Sequence, residues 1–197
     1  MSFKLIVISP PASIKNENKL VLGLFTRGLK LFHLRKPGYS KLQLRNYLMQ
    51  IPAKFHKKIV IHSHYALVIE FNLKGVHLTE KTRRKNLPAF FVSKKHSLSA
   101  SFHSIEAIYR SKRKYNYAFL SPVFDSISKN NYKSNFKEAE LSGLTKKNKN
   151  VVALGGINPY TIKKIKQLDF LGAATLGYIW ESQNPIKAFE LLNSKIK

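Results

Sequence analysis

Short apolar runs alternate with amphipathic stretches along the chain, and this alternation predicts its secondary structure. A run such as Val151–Leu154 is typical of a strand that is buried on both faces. The stretch 40–48 instead has apolar residues at helical spacing behind a serine suited to capping. The predicted strands are 3–8, 29–34, 58–61, 75–78, 98–102, 117–120, 151–154 and 170–176, and the predicted helices are 18–26, 40–48, 65–71, 106–109, 136–144, 160–168 and 185–192.

Strands and helices thus alternate about eight times, with no linker or low-complexity segment between them. This order predicts parallel strands joined by right-handed crossovers. Eight such units in 197 residues fit a compact (β/α)8 TIM barrel, one domain over 1–197, better than an open flavodoxin-like sheet with fewer strands. The charged segment 80–85 is predicted as a short helix or loop, and 90–92 as an extra strand. The polar segment 121–135 is too long for a plain connection, so we expect it to be functional.

Composition narrows the class of protein. The absence of cysteine excludes disulfides and thiolate chemistry. No apolar run is long enough to span a membrane, and Lys4–Ile8 is too short for the apolar core of a signal peptide. We therefore expect a globular, cytoplasmic protein without a membrane partner.

The net charge of +25 is the anomalous feature of the composition. Such a charge can attract a polyanion. The basic residues, however, are scattered, and the densest clusters, 81–85 and 110–114, lack interleaved aromatic residues or a nucleic-acid motif. We expect no specific nucleic-acid partner. The charge either belongs to a solvated lysine-rich surface or assists binding of a phosphorylated small substrate.

The segment after the seventh predicted strand has the features of a phosphate site. Gly155 and Gly156 permit a sharp turn and close approach of a ligand to the backbone. Asn158 is a good N-cap, and Pro159 suits the first helical position. This arrangement directs free N–H groups and the positive end of a helix dipole to one point. A tight turn between any strand and helix would use the same residues, and the segment alone leaves both interpretations open.

In a (β/α)8 barrel, the residues that follow the strands gather at one rim. Here they are mostly cations, hydroxyls and histidines, and Asp125 and Asp169 are the only aspartates in the sequence. Because Mg²⁺ prefers carboxylate oxygens, we do not expect a magnesium site with two carboxylates. Asp125 is the best-placed candidate ligand, and Glu80 is second.

Two histidine patterns suggest chemistry. His62 and His64 have strand spacing, but with no carboxylate or thiolate nearby we predict loop and packing roles for them rather than a zinc site. His103 follows a strand and lies beside Ser101 and Ser104. It is suited to acid–base catalysis near neutral pH, although a structural role would give the same pattern.

Five motifs in register resemble the thiamine phosphate synthase/TenI (thiazole tautomerase) superfamily over the whole chain: 33–36, 75–78, 101–104, 121–129 and 152–157. This resemblance implies a (β/α)8 barrel that binds a thiazole phosphate. Synthases of the superfamily join it to a hydroxymethylpyrimidine diphosphate and release pyrophosphate. Tautomerases move a proton to aromatise a thiazole carboxylate phosphate.

The chain departs from the synthase pattern where that pattern holds a metal. His62-Ser63 stands in place of the family's Asn-Asp, and Thr82 stands near the second expected aspartate. His33 replaces a glutamine of the basic motif. Pro37 replaces its second cation, for which Lys36 could substitute. The resemblance therefore favours the tautomerase branch, which also lacks the metal aspartate and places its acid–base histidine in the motif matched at 101–104.

On this basis we expect a thiamine-biosynthesis enzyme with TenI-like proton transfer and no cofactor. The expected catalytic residues are His103, Lys129 and Arg35; the expected substrate- and phosphate-binding residues are Gly155, Gly156, Gly177, Leu176, Ser101, Ser126, Ser128, Lys36, His33 and His62; no metal ligand is expected. One alternative is an active synthase that uses Mg²⁺, with a diphosphate site rebuilt from Lys36, His62 and Asp125. Another is a non-catalytic phosphate-ligand or nucleic-acid binder. The resemblance also suggests a homodimer.

Overall fold

A computed structural model describes residues 3–84, 95–125, 134 and 136–196 of the chain. Its strands are β1 (Lys4–Ile8), β2 (Leu31–Leu34), β3 (Ile59–Ile61), β4 (Gly75–Leu78), β5 (Ser97–Phe102), β6 (Tyr117–Leu120), β7 (Val151–Leu154) and β8 (Gly172–Thr175). Its helices are α1 (Glu17–Thr26), α2 (Lys41–Met49), α3 (Leu67–Glu70), α4 (Glu80–Arg84), α5 (Ile105–Tyr109), α6 (Glu138–Lys147), α7 (Thr161–Gln167), α8 (Gly177–Trp180) and α9 (Pro185–Ser194), and a 3-10 helix covers Ala53–Lys58.

The eight strands are parallel and form a closed barrel in chain order. The barrel closes where β8 pairs with β1, with Ala174 opposite Ile6. The predicted (β/α)8 fold is thus confirmed, and each of the eight predicted barrel strands is present with its ends shifted by at most two residues. Within the described part of the chain, every helix is too short or too polar to cross a lipid bilayer.

Alternating residues of each strand pack on opposite sides of the barrel wall. In β1, Leu5 and Val7 belong to the core between the barrel and its helices. Ile6 and Ile8 point inward and belong to a second cluster with residues of β6, β7 and β8. Both faces of the strands are therefore buried, which explains why the strands read as continuous apolar runs.

Helix α2 shows which part of the helix prediction was wrong. Its predicted cap is present, because the Gln43 amide donates to Ser40 Oγ and the Ser40 amide donates to Gln43 Oε1. Leu44 and Leu48 are buried as predicted, but Leu42, also predicted to point inward, is 63% exposed. Two residues correspond to about 200° around a helix, so Leu42 lies on the face opposite Leu44.

Two other predictions differ in outcome. The segment 80–85, predicted as a short helix or a loop, is helical over Glu80–Arg84. The predicted strand 90–92 lies outside the described residues. Helix α8 and the 3-10 helix were not predicted from the sequence.

Candidate active site

A cavity of about 370 Å³ opens at the carboxyl ends of the strands. Residues at or just after the end of every strand line it, as expected for a (β/α)8 barrel. It brings together most of the residues predicted to form the site: Arg35, His62, Ser101, His103, Gly155, Gly156, Leu176 and Gly177. The predicted residues Ser126, Ser128 and Lys129 lie outside the described residues.

The Gly155-Gly156 turn is constrained by the loop that follows β6. Both glycines have positive φ values, 98° and 64°. A Cβ added to Gly155 would lie 2.9 Å from Pro122 Cα, and one added to Gly156 would lie 2.5 Å from the Asp125 carbonyl oxygen. The close approach at this turn is therefore to the protein's own backbone. The glycines remain on the cavity wall and keep their backbone accessible to a ligand.

Backbone amides for an anion come from two places on this wall. Asn158 Oδ1 accepts hydrogen bonds from the amides of Tyr160 and Thr161, at 2.9 and 3.0 Å. Asn158 thus binds the first amide of α7 and the amide before it, but α7 begins two residues later than predicted: its N-cap position is Tyr160, which makes no side-chain cap, and Pro159 precedes the helix. Gly177 and Tyr178 begin α8, where N–H groups have no carbonyl partner within the helix. These amides and the Gly155-Gly156 turn border one cavity, an arrangement suited to an oxyanion.

Arg35 and Lys36, adjacent in sequence, have different roles. The Arg35 backbone is fixed by Ser9: its amide donates to Ser9 Oγ, which in turn donates to its carbonyl oxygen. Arg35 lines the cavity. Lys36 is 1% exposed, and its Nζ donates to Glu17 Oε2 at 2.6 Å and to the Ala12 carbonyl oxygen at 2.9 Å.

The expectation that Lys36 contributes charge to the substrate site is therefore wrong. Neighbouring residues of an extended chain project to opposite sides. Arg35 consequently faces the cavity, whereas Lys36 faces α1 and pairs with Glu17.

His103 lies on the cavity wall within reach of a carboxylate. Its Nδ1 is 2.9 Å from the Ser121 carbonyl oxygen. Because a carbonyl oxygen only accepts, Nδ1 carries the hydrogen of this bond. Nε2 lies 3.7 Å from Glu80 Oε2, and both residues line the cavity. A protonated Nε2 would therefore face a negative partner. The sequence suggests Glu80 only as a second candidate metal ligand, not as a partner of His103.

His33 lies deeper than predicted, in the barrel interior rather than on the cavity lining. It is fully buried, with Nε2 2.7 Å from the Tyr117 hydroxyl and Nδ1 2.9 Å from His62 Nε2. His77 is also fully buried, between Ser99 Oγ and Ser101 Oγ at 2.9 and 2.8 Å. His62 joins the two interior histidines to the cavity, since it contacts His33 and lines the cavity itself.

Burial sets the charge of these three rings. It lowers the pKa of His33 well below the ordinary value, helped by the charge of His77. The pKa of His62 is likewise well below the ordinary value, through burial and then the charges of His77, His33 and Arg35. Burial and the Arg35 charge lower the pKa of His77 to about 3. All three imidazoles are therefore neutral near pH 7.

His64 is separate from this group. Its Nε2 is 3.0 Å from the Tyr39 carbonyl oxygen, on the exposed side of the chain. His62 and His64 thus do not share a face. The association of His62 with His33 and His77 could not be seen from strand spacing, because it joins three different strands or strand ends.

The cavity does not fit the magnesium site that the synthase resemblance implies. Glu80 is the one carboxylate on the lining among the residues that the structure describes. Asp125 lines a different pocket, and its Oδ1 accepts the Ser134 amide at 2.7 Å. The rebuilt diphosphate site expected from Lys36, His62 and Asp125 is not assembled, because of the three only His62 reaches the cavity. Mg²⁺ prefers several oxygen ligands, and this donor set does not supply them.

The fold and this rim define a (β/α)8 barrel with a cavity, suited to an anion, at the carboxyl ends of its strands. Residues 5–179 match the sequence model described as thiamine monophosphate synthase, and the chain belongs to this family. The superfamily resemblance seen in the sequence is thereby confirmed.

Individual relatives agree with this assignment. The thiamine-phosphate synthase of Clostridium tetani is 24% identical over 84% of this chain and 81% of its own length. That of Prochlorococcus marinus is 26% identical over 91% of this chain, which spans only 53% of that protein. The crystal structure of thiamine phosphate pyrophosphorylase from Bacteroides thetaiotaomicron is 34% identical, with a TM-score of 0.83 over 98% of this chain and 97% of that one.

Proposed function

We propose that this protein binds a phosphorylated thiazole and transfers a proton on it, as a TenI-type tautomerase does. One observation carries the proposal: His103, paired with Glu80, borders the same cavity as the Gly155-Gly156 turn. A tautomerisation needs a phosphate anchor and one acid–base group, and it needs no metal.

The residues then have the following roles. The amides at Gly155, Gly156 and Gly177 hold the phosphate, and Arg35 offsets its charge. His103 Nε2 takes a proton from one atom of the substrate, and the resulting imidazolium is stabilised by Glu80. The proton then returns to another atom of the substrate, which leaves an aromatic thiazole and a neutral histidine. Lys129, Ser126, Ser128 and Leu176 remain predicted substrate contacts.

The second candidate is a thiamine phosphate synthase. The names of the relatives favour it, above all that of the structural neighbour at 34% identity. The scarcity of carboxylates around the cavity weighs against it. The substrates of this candidate would be a thiazole phosphate and a pyrimidine diphosphate.

Two assays separate these candidates. One follows isomerisation of the thiazole carboxylate phosphate by NMR, and the other follows thiamine phosphate formation from both synthase substrates with and without Mg²⁺. We expect isomerisation, and we expect His103→Gln to lower its kcat by about 10²- to 10⁴-fold, because glutamine cannot exchange the proton. His64→Asn is the matched control and should retain full activity.

Three outcomes would count against the proposal. Thiamine phosphate formation without isomerisation would establish the synthase. Isomerisation that His103→Gln leaves unchanged would remove His103 from the chemistry. Neither activity, together with tight RNA binding at physiological salt, would indicate a nucleic-acid binder.

A further inference from the structure

Three histidines that the proposed reaction does not use meet inside the barrel beneath the cavity. One ring nitrogen from each of His33, His62 and His77 lies within 4.8 Å of the other two, and all three residues are buried. The His62 and His77 rings have centroids 4.4 Å apart. The centroid of His33 lies 5.1 Å from that of His62 and 5.2 Å from that of His77. We infer that this cluster, the interior histidine site, binds one divalent transition-metal ion such as Zn²⁺ or Co²⁺.

The spacing of the ring nitrogens is close to what such an ion requires. Metal–nitrogen bonds of about 2.0–2.1 Å in a tetrahedral site place two ligand nitrogens about 3.4 Å apart. One ring nitrogen of each of the three histidines lies within 4.8 Å of the other two, and the closest approach of the His33 and His62 rings, from Nδ1 to Nε2, is 2.9 Å. Shifts of about 1 Å in side-chain position would bring all three to ligand distance.

An unpaired ring nitrogen is the second, independent sign of a ligand. His62 is 8% exposed, and its Nδ1 is buried without a hydrogen-bond partner among the described residues. Buried polar atoms nearly always have a partner, and an exception calls for a bound group or a catalytic role. A metal ion coordinated through Nδ1 would supply the missing partner of this atom.

The other two rings are already oriented as metal ligands usually are. A ligating histidine uses one nitrogen for the ion and the other for an outer hydrogen bond that fixes the ring. The Tyr117 hydroxyl contacts His33 Nε2 and Ser99 Oγ contacts His77 Nδ1, so His33 Nδ1 and His77 Nε2 are left for the ion. Those two nitrogens would give up their present bonds to His62 and Ser101.

The chemistry of the cluster selects the class of ion. Three imidazoles without a carboxylate suit zinc, cobalt, nickel or copper, whereas Mg²⁺ prefers oxygen. The rings are neutral near pH 7, which is the form that coordinates. Since His62 lines the cavity, the fourth coordination position of the ion would face the cavity and accept water or an anion. An anionic fourth ligand would also offset the positive charge of Arg35 nearby.

The test uses the full chain, freed of metal by a chelator and then titrated with CoCl₂. We expect one Co²⁺ per chain by elemental analysis and the visible absorption typical of four-coordinate Co²⁺, with displacement of the Co²⁺ by ZnCl₂. His33→Gln, His62→Asn and His77→Gln should each weaken Co²⁺ binding by about 10- to 100-fold or more. His64→Asn removes an exposed histidine two residues from His62, tolerates the left-handed backbone there, and should bind as the wild type does.

A measurement on the unmodified chain covers the case in which a variant fails to fold. In NMR spectra, one equivalent of Co²⁺ should shift the ring signals of the three clustered histidines strongly. The buried His56, whose ring contacts backbone carbonyl oxygens, should be affected much less. Binding of less than one Co²⁺ per chain at millimolar metal, binding unchanged in the folded His33, His62 and His77 variants, or shifts confined to other histidines would each overturn the inference.

Discussion

Gly156 shows how a single backbone position constrains the candidate site. Its φ of 64° lies in the left-handed region, and its Cα faces the Asp125 carbonyl oxygen and Phe124 Cβ. A side chain at this position would therefore be strained by its own backbone and would also push the β6–α6 loop away. The Gly155-Gly156 turn, which carries the proposed phosphate site, and the β6–α6 loop therefore depend on each other for their conformation.

We predict that Gly156→Ala destabilises the protein by about 1–3 kcal/mol and raises the KM for a phosphorylated substrate. The added Cβ would lie 2.5 Å from the Asp125 carbonyl oxygen, and relieving this contact would require the backbone to move. Gly143→Ala is the matched control, because it lies inside α6 with nothing within 4 Å of its added Cβ. It should raise stability by about 0.5–1 kcal/mol. Urea unfolding and steady-state kinetics of both variants test this, and equal effects would contradict it.

The buried Lys36–Glu17 pair gives a second prediction for single residues. Lys36→Met should destabilise the fold by about 3–5 kcal/mol, since it leaves the Glu17 carboxylate buried without its cation. The KM for the phosphorylated substrate should stay within about twofold, because Lys36 does not line the cavity.

The exposed pair of Arg27 and Glu190 is the control for Lys36→Met. Its partners lie 2.8 Å apart but are 45% and 51% exposed. Glu190→Gln should change the stability by no more than about 1 kcal/mol. A large rise in KM for Lys36→Met at a temperature where it is folded would restore Lys36 to the substrate site.

At the scale of elements, strand ends carry the candidate site, and they were also what the sequence predicted best. Apolar runs fix each strand, so the residue after each run falls on the rim, as for Arg35, His103 and Gly155. The direction of a side chain within the strand was harder to predict. His33 and Lys36 were placed on the rim, but one points into the barrel and the other toward α1.

The interior histidine site joins elements far apart in sequence, which explains why it was not predicted. His33 is on β2, His62 follows β3, and His77 is on β4. Only the barrel register, with Val60 opposite His33 and Gly75, brings these neighbouring strands together. Pair spacing along one strand points instead to His64.

The same cluster predicts a pH dependence of the metal-free protein. In the unfolded chain each of these histidines has a pKa near about 6.5, and folding lowers it. Below pH 6.5 the unfolded state therefore binds more protons than the folded state, and stability falls as the pH falls. The free energy of unfolding falls by up to about 1.4 kcal/mol per pH unit for each ring. For His77 this fall continues until the pH reaches the folded-state pKa of about 3.

Urea unfolding in the presence of a chelator, between pH 7.5 and 5, measures this loss. Replacing one buried ring, as in His77→Gln, should make the slope of stability against pH shallower by up to about 1.4 kcal/mol per pH unit. His64→Asn, which leaves the three buried rings in place, is the control variant. A free energy of unfolding that stays constant between pH 6.5 and 5 would contradict the prediction, because it would mean that the folded protein binds protons at these rings as readily as the unfolded chain does.

At the scale of the whole molecule, the chain combines a net charge of +25 with a cavity suited to an anion. The barrel, its single chain-order topology and its family followed from the sequence, because eight strand–helix units leave few closed arrangements. The net charge does not identify a partner, because it does not say where on the surface the charged residues lie. Its effect on the proposed function is therefore best measured through ionic strength.

We predict that KCl weakens binding of a phosphorylated thiazole and stabilises the fold. Raising KCl from about 0.05 to 0.5 M shortens the screening length to a few ångströms, which removes long-range attraction to the cavity. The KM should rise about 3- to 10-fold, while the KM or Kd of the dephosphorylated thiazole alcohol should change by less than about twofold. The Tm should rise over the same range, because salt also screens repulsion among the 35 lysines and arginines. Equal salt dependence for the two ligands would mean that the field of the protein plays no part in substrate binding, and the charge would then be a property of the solvated surface alone.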